Sequence, residues 1–290
     1  MVGIVKAGSG TSTAFTPGKH VPNTIHFISG LPRAGSTLLS ALLMQNPRFH
    51  AGMSGPVGGF FTSLLGQMSG ANEFSIFIDE TQKKAILKGL FENYYAAQPD
   101  KVVFDTNRLW CSKMPAIADL FPDAKVIACV RQTAWIVDSI ESLIRRNPFE
   151  MSKIFNFDAG GTVYSRAEGV SAGNGMVGYA VNALKEAYYG KHTANLMLLR
   201  YETLTSNPAE AMKAVYDFVG EKPFKHDFDN VEFDADEFDT RLGTPGLHRV
   251  GRRVKAEKRE TILPPDIFHR YENDNFWNDR ALNTRHVRVV

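Results

Sequence analysis

Cysteine is scarce in this chain: Cys111 and Cys129 are the only two among 290 residues. That excludes the disulfide framework of small secreted domains and fits a reducing compartment. Cys129 lies inside the apolar run AKVIACV, where a buried free thiol is expected. No apolar run is long enough to span a membrane. An excess of one charge is missing too, since Asp, Glu, Lys and Arg make up 22% of residues and the formal net charge is +2. Such balance argues against general nucleic-acid binding, so any anion site has to be local. Internal repeats and low-complexity tracts are absent. The stretch MVGIVKAGSGTSTAFTPGKHVP, residues 1–22, is polar and rich in Gly, Ser and Thr. It lacks the apolar stretch of a secretory signal and reads as a flexible arm, and a cytoplasmic location is the expectation.

What is present is enough apolar material for a large core, 43% of residues, so residues 23–290 read as one domain. Short runs rich in β-formers predict strands at Thr24–Ser29, Val102–Asp105, Ala124–Arg131 and Asn195–Glu202. Helical composition or spacing predicts helices over Thr37–Gln45, Glu80–Ala97, Met114–Phe121, Ala134–Arg146, Val177–Tyr189 and Ala209–Gly220. Phe49–Gly59 is glycine-rich and reads as irregular, and Gly160–Gly178 reads as loop-like with short ordered pieces. Nearly all-apolar strands alternating with helices predict an α/β fold, a parallel sheet flanked by helices on both faces. Ligands of such sheets bind at the carboxyl ends of the strands. Arg33, Asp105, Arg131 and Tyr201 each fall at or just after a predicted strand end, hence on one edge.

The first of these strands runs into GLPRAGSTLL, Gly30 to Leu39. This is the P-loop pattern with Gly30, Gly35 and Thr37 in register, Ser36 in the lysine's place, and Arg33 earlier in the loop. Backbone N–H groups before a helix attract an anion, and the Ser36 and Thr37 hydroxyls can bond the same oxygens. The missing lysine disfavours a nucleoside triphosphate. A shorter anion chain, one phosphate plus one further group, fits better, with Arg33 neutralising charge on the bridging atom. Arg131 ends a strand and Ser139 lies about two turns into the next helix, so both can face one anion. Alone, Arg131 reads as an arginine in a surface ion pair, worth little. CSKMP, Cys111 to Pro115, places Lys113 near the same edge.

Taken in order, GLPRAGSTLL, CSKMPAIADLFPDAKVIACVR, a helix carrying Ser139 and LLRYETL resemble the sulfotransferase family that uses 3′-phosphoadenosine 5′-phosphosulfate (PAPS). The loop is similar to that of the tyrosylprotein branch, in a bacterial flavour, and the resemblance covers roughly Thr24 to Gly220. It implies a P-loop-containing α/β fold, sulfuryl transfer to an acceptor hydroxyl or amine, release of 3′-phosphoadenosine 5′-phosphate, and no metal. Arg33, Ala34, Gly35, Ser36 and Thr37 match the family's 5′-phosphosulfate loop, and Arg131 with Ser139 matches its 3′-phosphate pair. Lys113 falls where relatives carry a His or Lys near the transferred group. Tyr201 matches a tyrosine near the nucleotide. Arg249, Arg252 and Arg253 loosely match a late loop that closes over the 3′-phosphate.

The chain departs from the tyrosylprotein pattern at the catalytic base. Members of that branch carry a glutamate downstream of the loop arginine, but FHAGMSGPVGG has no acid. His50, Asp105 and Glu73 are substitutes, His50 because an imidazole titrates near neutrality. The acceptor stays open among a tyrosine or other phenol, a sugar, a peptide and a small metabolite. Two other readings stand beside this one: a kinase-like nucleotide enzyme with an unusual P-loop, and a non-catalytic nucleotide-binding protein of the same fold.

Overall fold

A computed structural model of the chain describes residues 24–70, 72–155 and 161–290. The expected arm, residues 1–22, lies outside the described residues. Among the described residues six strands form one parallel sheet in the order β2-β3-β1-β4-β5-β6. They are β1 (Thr24–Gly30), β2 (Phe49–Ala51), β3 (Val102–Thr106), β4 (Val126–Val130), β5 (Leu196–Arg200) and β6 (Arg288–Val289). Between β1 and β3 run α1 (Ser36–Met44), α2 (Val57–Gln67) and α3 (Glu80–Tyr94). A short 3-10 turn, Arg108–Lys113, and α4 (Met114–Leu120) lead into β4. Helices α5 (Thr133–Arg146), α6 (Val163–Ser171) and α7 (Met176–Tyr189) lead into β5. Beyond it come α8 (Tyr201–Ser206), α9 (Pro208–Val219), α10 (Asp236–Arg241) and α11 (Pro265–Tyr271).

Strand parity divides the core. Phe27 lies opposite Asp105 and so shares a face with it. On that face Phe27 meets Trp110 at 5.0 Å and Phe91 of α3 at 5.7 Å between ring centroids. Phe104 points the other way, against Phe49, which stacks on Tyr216 of α9. Helices therefore cover both faces, as the apolar strands predict. The order of strands reverses at β1, with β3 on one side and β4 on the other. A crevice opens at such a switch point. Local signals end the helices: Pro208 starts α9, Gly220 stops it in the left-handed region at φ 74°, and Arg145 and Arg146 sit at the negative end of α5.

One expectation needs correction. Phe49–Gly59 is not irregular: Phe49–Ala51 pairs with β3 as an edge strand, and Val57 begins α2. The ordered pieces expected in Gly160–Gly178 are α6 and the start of α7. In both stretches tertiary packing overrides the weak helix propensity of glycine: Val57, Ala167 and Val170 are buried.

His26, on β1, is buried and accepts a hydrogen bond at Nδ1 from the Lys125 N–H (3.1 Å). Burial first, and the Lys125 charge second, lower its pKa to about 4. The unfolded chain takes up this proton at its ordinary, higher pKa. Stability is therefore present above that pKa and is lost as pH falls towards 4, by up to about 3 kcal/mol. Urea unfolding as a function of pH should show this slope, and His26→Gln should flatten it.

Candidate active site

The turn after β1 is positioned by a close approach. Gly30 has φ 98°, and a Cβ there would overlap the backbone carbonyl oxygen of Cys129 on β4. Only glycine allows this contact, and the Leu31 N–H then donates to the Cys129 carbonyl at 2.8 Å. Arg33 has φ 57°, an uncommon left-handed conformation for a non-glycine residue. Gly35 (φ 95°) stands at the N-cap of α1, where no side chain caps the helix and the first turn has no acid. The first N–H groups of α1 thus stay available, and with the helix dipole they form an anion cradle.

A cavity of about 1170 Å³ opens over this turn. Gly30, Arg33, Gly35, Ser36, Thr37, Arg131, Ser139, Tyr201, Arg249 and Arg252 all line it. Ala34 is buried behind the loop. Arg33 donates from Nε to Ser139 Oγ (3.1 Å) and from Nη1 to the carbonyl of Leu247. Arg131 donates to the Arg33 carbonyl at 3.4 Å, and its guanidinium lies 4.1 Å from the Tyr201 ring centroid. That ring in turn packs beside Gly35. Burial, then the like charges of Arg131 and Arg146, lower the Arg33 pKa to about 10. Arg131 is lowered as well, chiefly by burial. The two guanidiniums line one cavity, and among the described residues neither has a carboxylate within salt-bridge distance. Such an arrangement can hold an anion.

Three expected site residues are not brought to the cavity. Asp105 sits on the sheet face of Phe27, 1% exposed, and accepts from Tyr95 Oη (2.5 Å) and Trp110 Nε1 (2.7 Å). Burial raises its pKa against those two hydrogen bonds. His50 pairs with Val103 on β3, which puts it on the same face as Asp105, with its ring 5.6 Å from Tyr95. Burial and the Lys101 charge lower its pKa. Lys113 stands at the N-cap position of α4, at the far end of the 3-10 turn, without a side-chain capping bond. At the near end of that turn Arg108 does line the cavity.

The sequence reading also missed His248, Arg146, Lys153 and Arg259 in the lining. His248 bonds through Nδ1 to Asp239 Oδ1 (2.6 Å). Arg259 pairs with the fully buried Asp138 and lies 5.1 Å from the Trp135 ring centroid. Asp138 also accepts from Thr261 Oγ1 (2.7 Å) and the Ile262 N–H (2.8 Å). Further back, Arg252 bonds Asn230 (2.8 Å), Arg253 pairs with Asp229 (2.7 Å), and the Val231 and Val254 amides bond across to Arg252 and Phe228. The basic segment is thus a strap over the cavity, and the aromatic-acidic stretch before it supplies its anchors. Among the described residues no group of three or more His, Cys, Asp or Glu side chains is placed to hold a metal ion.

A parallel sheet with an uncapped loop–helix turn and clustered cations at its switch point defines a class: an α/β protein with a site suited to a polyanion. Comparison with known families makes this specific. The model of the Sulfotransferase family matches residues 26–225, more than half of the chain, and the chain belongs to that family of transferases. Among solved structures, a sulfotransferase from Mycobacterium avium, STF9, is similar in fold: TM-score 0.52 at 12% identity, covering 90% of this chain and 78% of that one. The sulfotransferase domain of the Synechococcus PCC 7002 olefin synthase aligns over 89% of this chain and 90% of its own, with 17% identity and a TM-score of 0.49. The sulfotransferase from Alicyclobacillus acidocaldarius aligns over 77% and 92%, with 15% identity and a TM-score of 0.48. No curated protein matches the sequence. No helix among the described residues is long and apolar enough to cross a membrane.

The placement of Asp105 gives a stability prediction. Asp105→Ala removes a buried acceptor shared by the Tyr95 hydroxyl and the Trp110 indole N–H and should destabilise the fold by about 3 kcal/mol. A lowered urea midpoint, with unchanged affinity for cavity ligands, is the expected outcome.

Proposed function

We propose that the protein transfers a sulfuryl group from PAPS to an acceptor hydroxyl or amine, on a phenol, sugar, peptide or small metabolite. The observation that carries this reading is the convergence of Arg33, Arg131 and Ser139 beside the uncapped N-terminus of α1, in one cavity where no carboxylate of the described residues lies within salt-bridge distance of either arginine. The residues fit the donor. The first amides of α1 and the Ser36 and Thr37 hydroxyls would hold its 5′-phosphate, and Arg131 with Ser139 its 3′-phosphate. Tyr201, Arg249 and Arg252 would border the nucleotide. When bound, PAPS supplies an activated sulfuryl group whose leaving atom already belongs to a phosphate, so no metal is needed.

Arg33 sits where negative charge grows on that phosphate and stabilises it more in the transition state than before. Arg108 supplies the second cation, the part first assigned to Lys113. Ser36 in place of the P-loop lysine removes the group that would reach a triphosphate, which disfavours a kinase. The two free, buried thiols support a reducing, cytoplasmic setting.

Calorimetry with two nucleotides tests the reading. Arg131→Ala should weaken 3′-phosphoadenosine 5′-phosphate by roughly 10- to 100-fold, the worth of a charge-assisted hydrogen bond, and AMP far less. Equal losses for the two would remove the 3′-phosphate from Arg131.

A further inference from the structure

The reaction needs a group that removes the acceptor's proton, and neither His50 nor Asp105 reaches the cavity. His248 does. It follows α10 on a turn in which Gly243 and Gly246 adopt φ 69° and 81°, so the chain folds back on its own helix. Asp239, 1% exposed, accepts from the His248 N–H through Oδ2 (2.7 Å) and bonds His248 Nδ1 through Oδ1 (2.6 Å). A carboxylate only accepts, so Nδ1 carries the proton and Nε2 is left as the basic atom. The imidazole is also held edge-on against Phe238 (5.6 Å), another residue of the cavity wall. The residue before it, Leu247, accepts from Arg33 through its carbonyl. The dyad therefore adjoins the cation proposed for the leaving phosphate. A surface histidine needs neither a buried carboxylate behind it nor this attachment.

Resting on the donor reading above, we infer that His248 is the general base of the transfer and that Asp239 is its positioning residue. His248 Nε2 takes the proton from the acceptor O–H or N–H as the acceptor atom forms its bond to sulfur. The bond between sulfur and the 5′-phosphate oxygen breaks, and the phosphate keeps the electron pair. The imidazolium, stabilised by Asp239, then returns its proton to water. No oxidant or reductant enters. The same geometry serves any acceptor hydroxyl, including water.

The test uses the full chain, with His248→Gln, His248→Ala and Asp239→Asn. First, all proteins are titrated with 3′-phosphoadenosine 5′-phosphate. Unchanged affinity shows intact donor sites in the variants, while no binding by the wild type defeats the donor reading itself. Second, turnover of 35S-labelled PAPS is measured with water alone and with a series of phenols. General-base catalysis is worth roughly 10²- to 10⁴-fold, and a loss of that size in His248→Gln is expected, with added imidazole restoring turnover in His248→Ala. Third, 15N-histidine spectra of the nucleotide-bound protein should show His248 protonated at Nδ1, and Asp239→Asn should disturb that tautomer while nucleotide affinity holds. Nucleotide binding with full turnover in His248→Gln overturns the assignment. So does nucleotide binding by a wild type that turns PAPS over no faster than solution, or a tautomer protonated at Nε2.

Discussion

The contact between Gly30 and the backbone of Cys129 is the constraint on which the cavity depends. Two parallel strands come close enough at their carboxyl ends to exclude a Cβ, and the chain leaves the sheet there in a left-handed turn. Everything that follows inherits its position from that exit. Arg33 is carried over the end of β4, Gly35 presents the bare end of α1, and Tyr201 fits against Gly35 because nothing projects from it. A larger residue at Gly30 would move the anion cradle away from Arg131, which is fixed separately at the end of β4.

The second organising element is the strap. Its basic residues are exposed, and the chain ties the segment down in three places. The Leu247 carbonyl rests on Arg33, the Arg252–Val254 backbone pairs with Phe228–Val231, and Arg259 and Thr261 hold the buried carboxylate of Asp138. Asp138 has Ser139 as its neighbour on α5. One turn of one helix therefore faces the strap with a carboxylate and the loop with a hydroxyl. A buried carboxylate of this kind contributes little net stability but is costly to leave without its partner. It therefore specifies the strap's position more than it strengthens the fold.

Much of this was legible in the residues because the underlying physics is local. A strand–turn–helix with glycines at fixed offsets determines its own shape, and β1, α1, β4 and α5 fall within a few residues of expectation. Arg131 and Ser139 followed from strand-end and helix spacing. Side-chain direction was not legible where one residue of parity decides it. Asp105 is at the correct sheet edge but on the face with Phe27, where Trp110 and Tyr95 claim both of its oxygens. Lys113 and Arg108 belong to the same 3-10 turn, and only its orientation selects the arginine. His248 and Asp239 lie in an irregular segment without periodicity. The one available signal was the turn chemistry of Gly-Thr-Pro-Gly between an acid and a histidine, which brings the two ends together.

The guanidiniums of Arg33 and Arg131 in one cavity bear on more than recognition. Like charges held together in a partly desolvated place oppose folding, and an anion that fits between them removes that opposition. Whatever binds the folded chain and not the unfolded one adds to its stability in proportion to the logarithm of its concentration. Occupancy of the cavity is thus written into the melting temperature. The protein reports its own ligand, and a thermal shift across a set of nucleotides and sulfated compounds reads that report before any acceptor is known.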